Sequence, residues 1–133
     1  MEVKTFDFKN NLSFSVDNIQ QSSDGKIWCK NFSNEVFYLQ NNTLQKDKVL
    51  ERFFQSKDSY LLDFIFVDEI MYILLENSFV KYDLSENKIT EVLNLEHGEE
   101  VFHAVNYNKT TSEIILGSDQ NYYRIKDEKV MGV

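Results

Sequence analysis

The stretch SSDGKIWCKN, Ser22 to Asn31, decides how the rest of the chain is read. Ser-Ser-Asp-Gly is turn chemistry, because Asp and Gly tolerate the positive φ that tight hairpins require. It runs directly into an alternating segment. Ile27, Cys29 and Asn31 face one way there, and Lys26, Trp28 and Lys30 the other. Two later segments share this layout. Tyr72 follows Trp28 by 44 residues, and Ile115 follows Tyr72 by 43. Val36, Val80 and Tyr123 align at the same two spacings, and Leu44, Ile89 and Val130 match with small shifts. Each unit reads as four short strands joined by turns.

The strands in EVFYLQ and SFVKYDL are apolar on both faces. One four-stranded sheet cannot cover two apolar faces by itself, so it must stack between neighbours. A repeat period in the low forties with four strands per unit predicts propeller blades. The expected fold is therefore all-β, a β-propeller fragment of about three four-stranded antiparallel blades. A three-sheet β-prism and a β-sandwich are the alternatives. Residues 1–133 form a single partial propeller in this reading, with blades at 11–52, 58–96 and 100–133 and the end of a preceding blade at 1–10. Closed propellers hold about four to eight blades. Three units therefore suggest part of a longer propeller, with apolar end faces that favour self-association.

Turns are expected at Ser22–Gly25, Ser33-Asn34, Asn41-Asn42, Ser85–Asn87, Asn108–Thr110 and Asp119–Asn121. DKVLERFFQSK is read as an outer strand, with a helix as its competitor. Thr110 and Glu113 match a capping box, but Gly117 follows too soon for a useful helix, so NKTTSEIILG is read as strand. Ile27, Val36, Phe37, Phe64, Phe66, Tyr72, Ile73, Val80, Ile114, Leu116 and Tyr123 are expected in the core, with Trp28 packed between two blades.

Composition bounds the function. The 133 residues are 42% hydrophobic and 14% aromatic, too apolar for a disordered chain. The formal net charge of -8 argues against a nucleic-acid partner and against an anionic membrane surface. No segment reaches the ~18 uncharged apolar residues of a membrane span, and the first residues lack the pattern of a signal peptide. Cys29 is the single cysteine, which rules out an intrachain disulfide and a Cys-based zinc site.

One family fits the repeat. IQQSSDGKIWCK resembles the two-component regulator propeller repeat, in which a short strand is followed by Asp-Gly, an apolar-Trp pair and Gly-Thr. EIILGSDQNYYRI resembles the second half of that repeat, with Gly117-Ser118 at the Gly-Thr position. The middle unit, IMYILLENSFVKYDLSENKI, keeps the spacing but has no glycine, and Lys30-Asn31 replaces Gly-Thr in the first unit. The resemblance implies a sensor region on the periplasmic or extracytoplasmic side of a bacterial histidine kinase, often a hybrid kinase. It implies signal transduction by ligand sensing or dimerisation, with a small-molecule or glycan ligand. The repeats are structural, so the resemblance brings no catalytic residue.

Chemistry-bearing clusters are sparse. His97 and His103 are the only histidines, and EHGEE reads as a solvated acidic loop. Asp17, Asp63, Asp68 and Asp83 recur near strand ends and read mostly as turn caps. Tyr60, Tyr72, Tyr82, Tyr107, Tyr122 and Tyr123 could present stacking faces to a carbohydrate, but aromatics in blades belong mainly to the core. Asn-x-Ser/Thr at Asn11, Asn31, Asn41 and Asn108 is read as chance. No phosphate loop, nucleophile elbow or dinucleotide fingerprint is present. No catalytic residue, metal or cofactor is assigned, and no ligand-binding residue can be named. The expected role is a non-enzymatic sensor propeller. A protein-interaction scaffold and a propeller carbohydrate-active enzyme are the rivals.

Overall fold

The computed structural model describes residues 17–31, 34–57, 59–96 and 99–132. Sheet 1 contains β1 (Asn18–Gln21), β2 (Ile27–Lys30), β3 (Val36–Gln40) and β4 (Thr43–Lys46). A helix, α1 (Lys48–Ser56), leads to sheet 2, which contains β5 (Leu61–Val67), β6 (Ile70–Leu75), β7 (Ser78–Asp83) and β8 (Lys88–Asn94). Sheet 3 contains β9 (Phe102–Asn108), β10 (Glu113–Ser118), β11 (Tyr122–Lys126) and β12 (Lys129–Gly132). Each sheet is an antiparallel meander in chain order. β5 lies beside both β1 and β9, so the first strands gather at one edge. The molecule is all-β and propeller-like. Residues 1–10, expected to end a preceding blade, lie outside the described residues.

Alternation in sheet 2 explains the stacking. Phe64, Met71, Ile73, Val80 and Tyr82 face sheet 1 and join Trp28 and Val36 in one core. Ile65, Leu74 and Phe79 face the other way, into a second core with Phe102, Val105, Ile114, Leu116 and Ile125 of sheet 3. A sheet apolar on both faces is stable only when both are covered. A prism would enclose one shared core. Two cores, one on each side of sheet 2, fit stacked blades.

The opening turn is fastened from several directions. Ser22 O accepts from Gly25 N at 2.9 Å, and Gly25 takes a φ of 86°, which costs glycine little. Lys26 N donates to Asp24 Oδ1 at 3.1 Å. Hydrogen bonding from the Ser22 hydroxyl holds the Asp24 carboxyl below the usual range. Trp28 Nε1 donates to Ser22 Oγ at 3.2 Å, which satisfies the indole where it is buried. The ring packs on Tyr38 of its own sheet and Phe66 of sheet 2, with centroids 5.1 and 5.6 Å away. Trp28 therefore sits between two blades, as expected. Asn41 and Asn42 both adopt positive φ, 53° and 60°, between paired Gln40 and Thr43. That is the type I′ geometry that asparagine favours.

Four expectations need correction. DKVLERFFQSK is helical, not an outer strand, because Thr43–Lys46 already completes sheet 1. Asp47 caps the helix by accepting from Leu50 N at 3.0 Å, and Val49, Leu50, Phe53 and Phe54 lay one apolar stripe on the first core. Ile27 is 37% exposed, because it stands at the end of β2. Phe66, Tyr72 and Tyr123 are half-buried rather than buried. The third-strand alignment is out by one residue in sheet 1. Cys29 pairs with Phe37, Ile73 with Val80 and Leu116 with Tyr123, so the counterpart of Val80 is Phe37. The connection after β2 is one residue longer than its counterparts.

Candidate functional site

Among the described residues the first strand of each sheet is an edge strand, with backbone groups that no fifth strand pairs. Edges of this kind must be covered or satisfied. Here a side chain from the neighbouring sheet does so at one position of β5 and at one position of β9. Asn18 Nδ2 donates to Phe64 O at 3.3 Å and to Asp63 Oδ1 at 2.5 Å. Asp63 Oδ2 accepts from Val105 N at 3.0 Å, and its Oδ1 also accepts from Phe64 N at 2.9 Å. Asn18 and Asp63 occupy equivalent positions, opposite Lys30 and Leu74. Phe64 and Val105 are likewise equivalent, opposite Ile73 and Leu116. Each side chain thus reaches the same backbone position of the next sheet. Ala104 holds this place in β9 and cannot continue the belt.

Two bulges interrupt the first strands beside the belt. The pairing of β5 with β6 skips Leu62, between Leu61 and Asp63. The pairing of β9 with β10 skips His103, between Phe102 and Ala104. Bulges re-aim side chains and are common beside functional sites. Leu62 and His103 both line an open groove of about 430 Å³ with Asp17, Asn18, Gln20, Asp63, Ile65, Val105 and Asn106. Asp17 pairs with the ammonium of Lys30, whose side chain is only 3% exposed. Without such partners a buried ammonium is costly. Gln20 Nε2 donates to Asn18 Oδ1 at 3.1 Å, and Asn106 Oδ1 accepts from Tyr107 N at 2.8 Å.

The four aspartates singled out by position therefore separate. Asp83 is a turn cap, accepting from Ser85 N at 3.0 Å and Ser85 Oγ at 2.7 Å. Asp68 sits in a turn at a φ of 54°. Asp17 neutralises Lys30, and Asp63 ties three strands together. The acidic loop is engaged through Glu100, which accepts from the Tyr123 hydroxyl at 2.6 Å and from Ser118 Oγ. His97 lies outside the described residues, as does Asn11. His103 is exposed on the groove.

No group of three or more His, Cys, Asp or Glu able to hold a metal ion occurs among the described residues. Cys29 is buried, and desolvation pushes its thiol up to about 11, far from a nucleophile's range. Asn31 is buried with its carboxamide bonded to Glu35. Asn41 and Asn108 serve turns. Of the tyrosines, Tyr82 is core, Tyr72, Tyr107 and Tyr123 are half-buried, and Tyr60 and Tyr122 are exposed. The Asp63 belt and the two bulges escaped the sequence reading.

No family model matches the sequence, and no curated protein matches it. Solved structures do match. One is a crystal structure of the extracellular domain of BT4673 from B. thetaiotaomicron, described as a one-component system. It aligns with 99% of this chain at a TM-score of 0.69 and 12% identity. A second, of the extracellular domain of BT4673 described as a hybrid two-component system, aligns with 96% at a TM-score of 0.68 and 12% identity. The chain spans 18% of the length of each. At this identity the likeness is one of fold.

Proposed function

We propose that this chain is a signal-input segment of a bacterial two-component sensor, lying on the extracytoplasmic side of a membrane protein. In this reading it recognises a ligand and performs no chemistry itself. The observation that carries the proposal is the alignment of 99% of the chain with the extracellular domain of BT4673. The two-component propeller repeat resemblance of SSDGKIWCK, read from sequence, points to the same class. Among the described residues no helix is long and apolar enough to cross a membrane, so any anchoring helix would lie elsewhere in the protein. The belt supports ligand input over dimerisation. It commits the Asp63 carboxylate to structure and leaves other polar groups open in a groove that touches all three sheets.

The test lies in the intact gene. Alkaline phosphatase fused at the end of this segment in its natural protein should be active, and a membrane segment and an output domain should be encoded with it. An inactive fusion, or a gene with no output domain, would remove the sensor reading.

A further inference from the structure

We propose that the groove between sheets 2 and 3 is a docking site for an amphipathic helix of a partner protein, one that presents an apolar stripe and carries Lys or Arg in its last turn. The proposal goes beyond the sensor reading and does not rest on it.

The chain itself shows what such a space holds. Between sheets 1 and 2 it is filled by α1. Val49, Leu50, Phe53 and Phe54 of the helix share the first core with Leu61, Ile73, Val80 and Ile89 of sheet 2. At the start of the helix, Asp47 Oδ2 accepts from the Tyr82 hydroxyl at 3.0 Å. Strand pairing gives each of these sheet 2 positions a counterpart in sheet 3. Phe102 answers to Leu61, Leu116 to Ile73 and Tyr123 to Val80. Ile125 answers to Tyr82 and Val130 to Ile89. Phe102, Leu116, Tyr123 and Val130 line a groove of about 300 Å³ together with Leu93 and Leu95. The groove therefore lies where α1 would stand if the sheet 1 to sheet 2 arrangement were repeated. Among the described residues no helix stands there. The connection from β8 to β9, residues 95–101, is half as long as the connection from β4 to β5, residues 47–60.

Two properties of the groove select its occupant. It opens from the second core, to which Leu93, Leu95, Phe102, Leu116 and Tyr123 belong, so an apolar stripe laid in it extends an interface that already exists. This is helix-in-groove recognition. The second property is charge. α1 runs toward the first residue of β5, so a helix seated likewise runs toward Phe102 and ends beside a connection that carries Glu96, Glu99 and Glu100. Glu100 also lines the groove. Its two oxygens accept from the Tyr123 hydroxyl and Ser118 Oγ, one each, and a carboxylate can accept more. The carbonyls at a helix C-terminus carry negative partial charge, and Lys or Arg in the last turn offsets both them and the carboxylates. Ile125 offers no hydroxyl in the place of Tyr82, so an Asp at the start of the helix gains nothing there.

Titration of the full 133-residue chain, followed by its amide resonances, tests this. The probe is a peptide of the α1 sequence, DKVLERFFQSK, residues 47–57, which ends in Lys57. Short helices are marginal in water, so it is held helical by a crosslink between positions 48 and 52, both exposed in α1. Amides of Leu93, Phe102, Leu116 and Val130 should shift, with a Kd on the order of 1 mM or tighter. Leu50→Ala with Phe53→Ala in the peptide should abolish the shifts, and Lys57→Glu in the peptide should weaken binding about threefold. Val130→Asp in the protein, at a side chain that is 46% exposed, should weaken binding about tenfold or more. If that variant melts early, the shift map of the natural chain decides. Absence of shifts up to about 5 mM peptide, shifts confined to other surfaces, or equal binding of the alanine peptide would overturn the proposal. The same shifts produced by raising the protein concentration without peptide would overturn it in favour of a second copy of this chain. Shifts with indole but none with the peptide would overturn it in favour of a small apolar molecule.

Discussion

Sheets 2 and 3 share one register and present different surfaces on the side away from sheet 1. Tyr72 and Ile115 are equivalent, as are Ile65 and Asn106, Leu74 and Gly117, Phe79 and Tyr122, and Lys81 and Arg124. On sheet 2 this surface enters the second core, where Phe79 is fully buried and stacks on Tyr72 at 5.7 Å. On sheet 3 it carries Asn106, a half-buried Ile115, a Tyr122 that is 56% exposed, and an Arg124–Glu113 pair at 3.4 Å. The apolar end face expected from sequence is here a mixed one. Backbone pairing alone makes a blade, whereas apolar residues on its outward face are what make it stack.

Paired substitutions can break or sharpen that contrast. Phe79→Ala should destabilise by about 3–5 kcal/mol in urea unfolding, while Tyr122→Ala at the equivalent position should stay within about 0.5 kcal/mol. Equal effects would erase the distinction between the two surfaces. Trp28→Ala belongs with Phe79→Ala, since the same urea assay should return about 3–5 kcal/mol.

The belt offers a smaller contrast. Asp63→Ala should cost about 1–3 kcal/mol by leaving the Val105 amide and the Asn18 carboxamide without their partner. Ala104→Asp, at the equivalent place in β9, should add no stability because no neighbouring strand among the described residues receives it. A gain there in thermal melts would mean that another group receives the new carboxylate and the belt continues past β9.

Burial of Cys29 gives a pH dependence. Its thiol titrates near 9 when unfolded and about 11 when folded. The unfolded chain loses this proton first, so the contribution is intact below pH 9 and declines as pH rises toward 11. Unfolding midpoints should fall over that window more in the natural chain than in Cys29→Ala. The native thiol should also resist a disulfide reagent at pH 8 until the chain unfolds. Least of all, Lys81→Ala should cost at most about 1 kcal/mol, because its pair with Glu128 links sheets 2 and 3 at a solvated surface.

What was legible in the sequence was what a period of about 43 residues repeats. Trp28, Tyr72 and Ile115 do fall at one position of the second strand, and Asn41-Asn42 does form its turn. The helix was hidden because Phe53 and Phe54 suit a strand as well as an amphipathic stripe, and its deciding contact, Asp47 with the Tyr82 hydroxyl, is 35 residues distant. The turn at Asp127-Glu128 was missed because Glu128 is not a residue that favours positive φ, although Asp127 is, and they adopt 64° and 51°. Asp63 looked like a turn cap because its partners, Asn18 and Val105, lie 45 and 42 residues away. One signal was present. An aspartate interrupts the apolar run LLDFIFV about one period after Asn18, where a polar residue on a doubly buried strand needs a partner.

The central claim is that side chains of one sheet satisfy the edge of the next along the inner strands. Amide hydrogen exchange at Val105 tests it most directly, because that N–H faces away from its strand partner and toward Asp63 Oδ2. The account predicts a slowly exchanging Val105 amide in the natural chain, with protection lost selectively in Asp63→Ala while Leu116 and Ile125 stay protected. A Val105 amide that exchanges as fast as an open edge in the natural chain, or keeps its protection without Asp63, would contradict it.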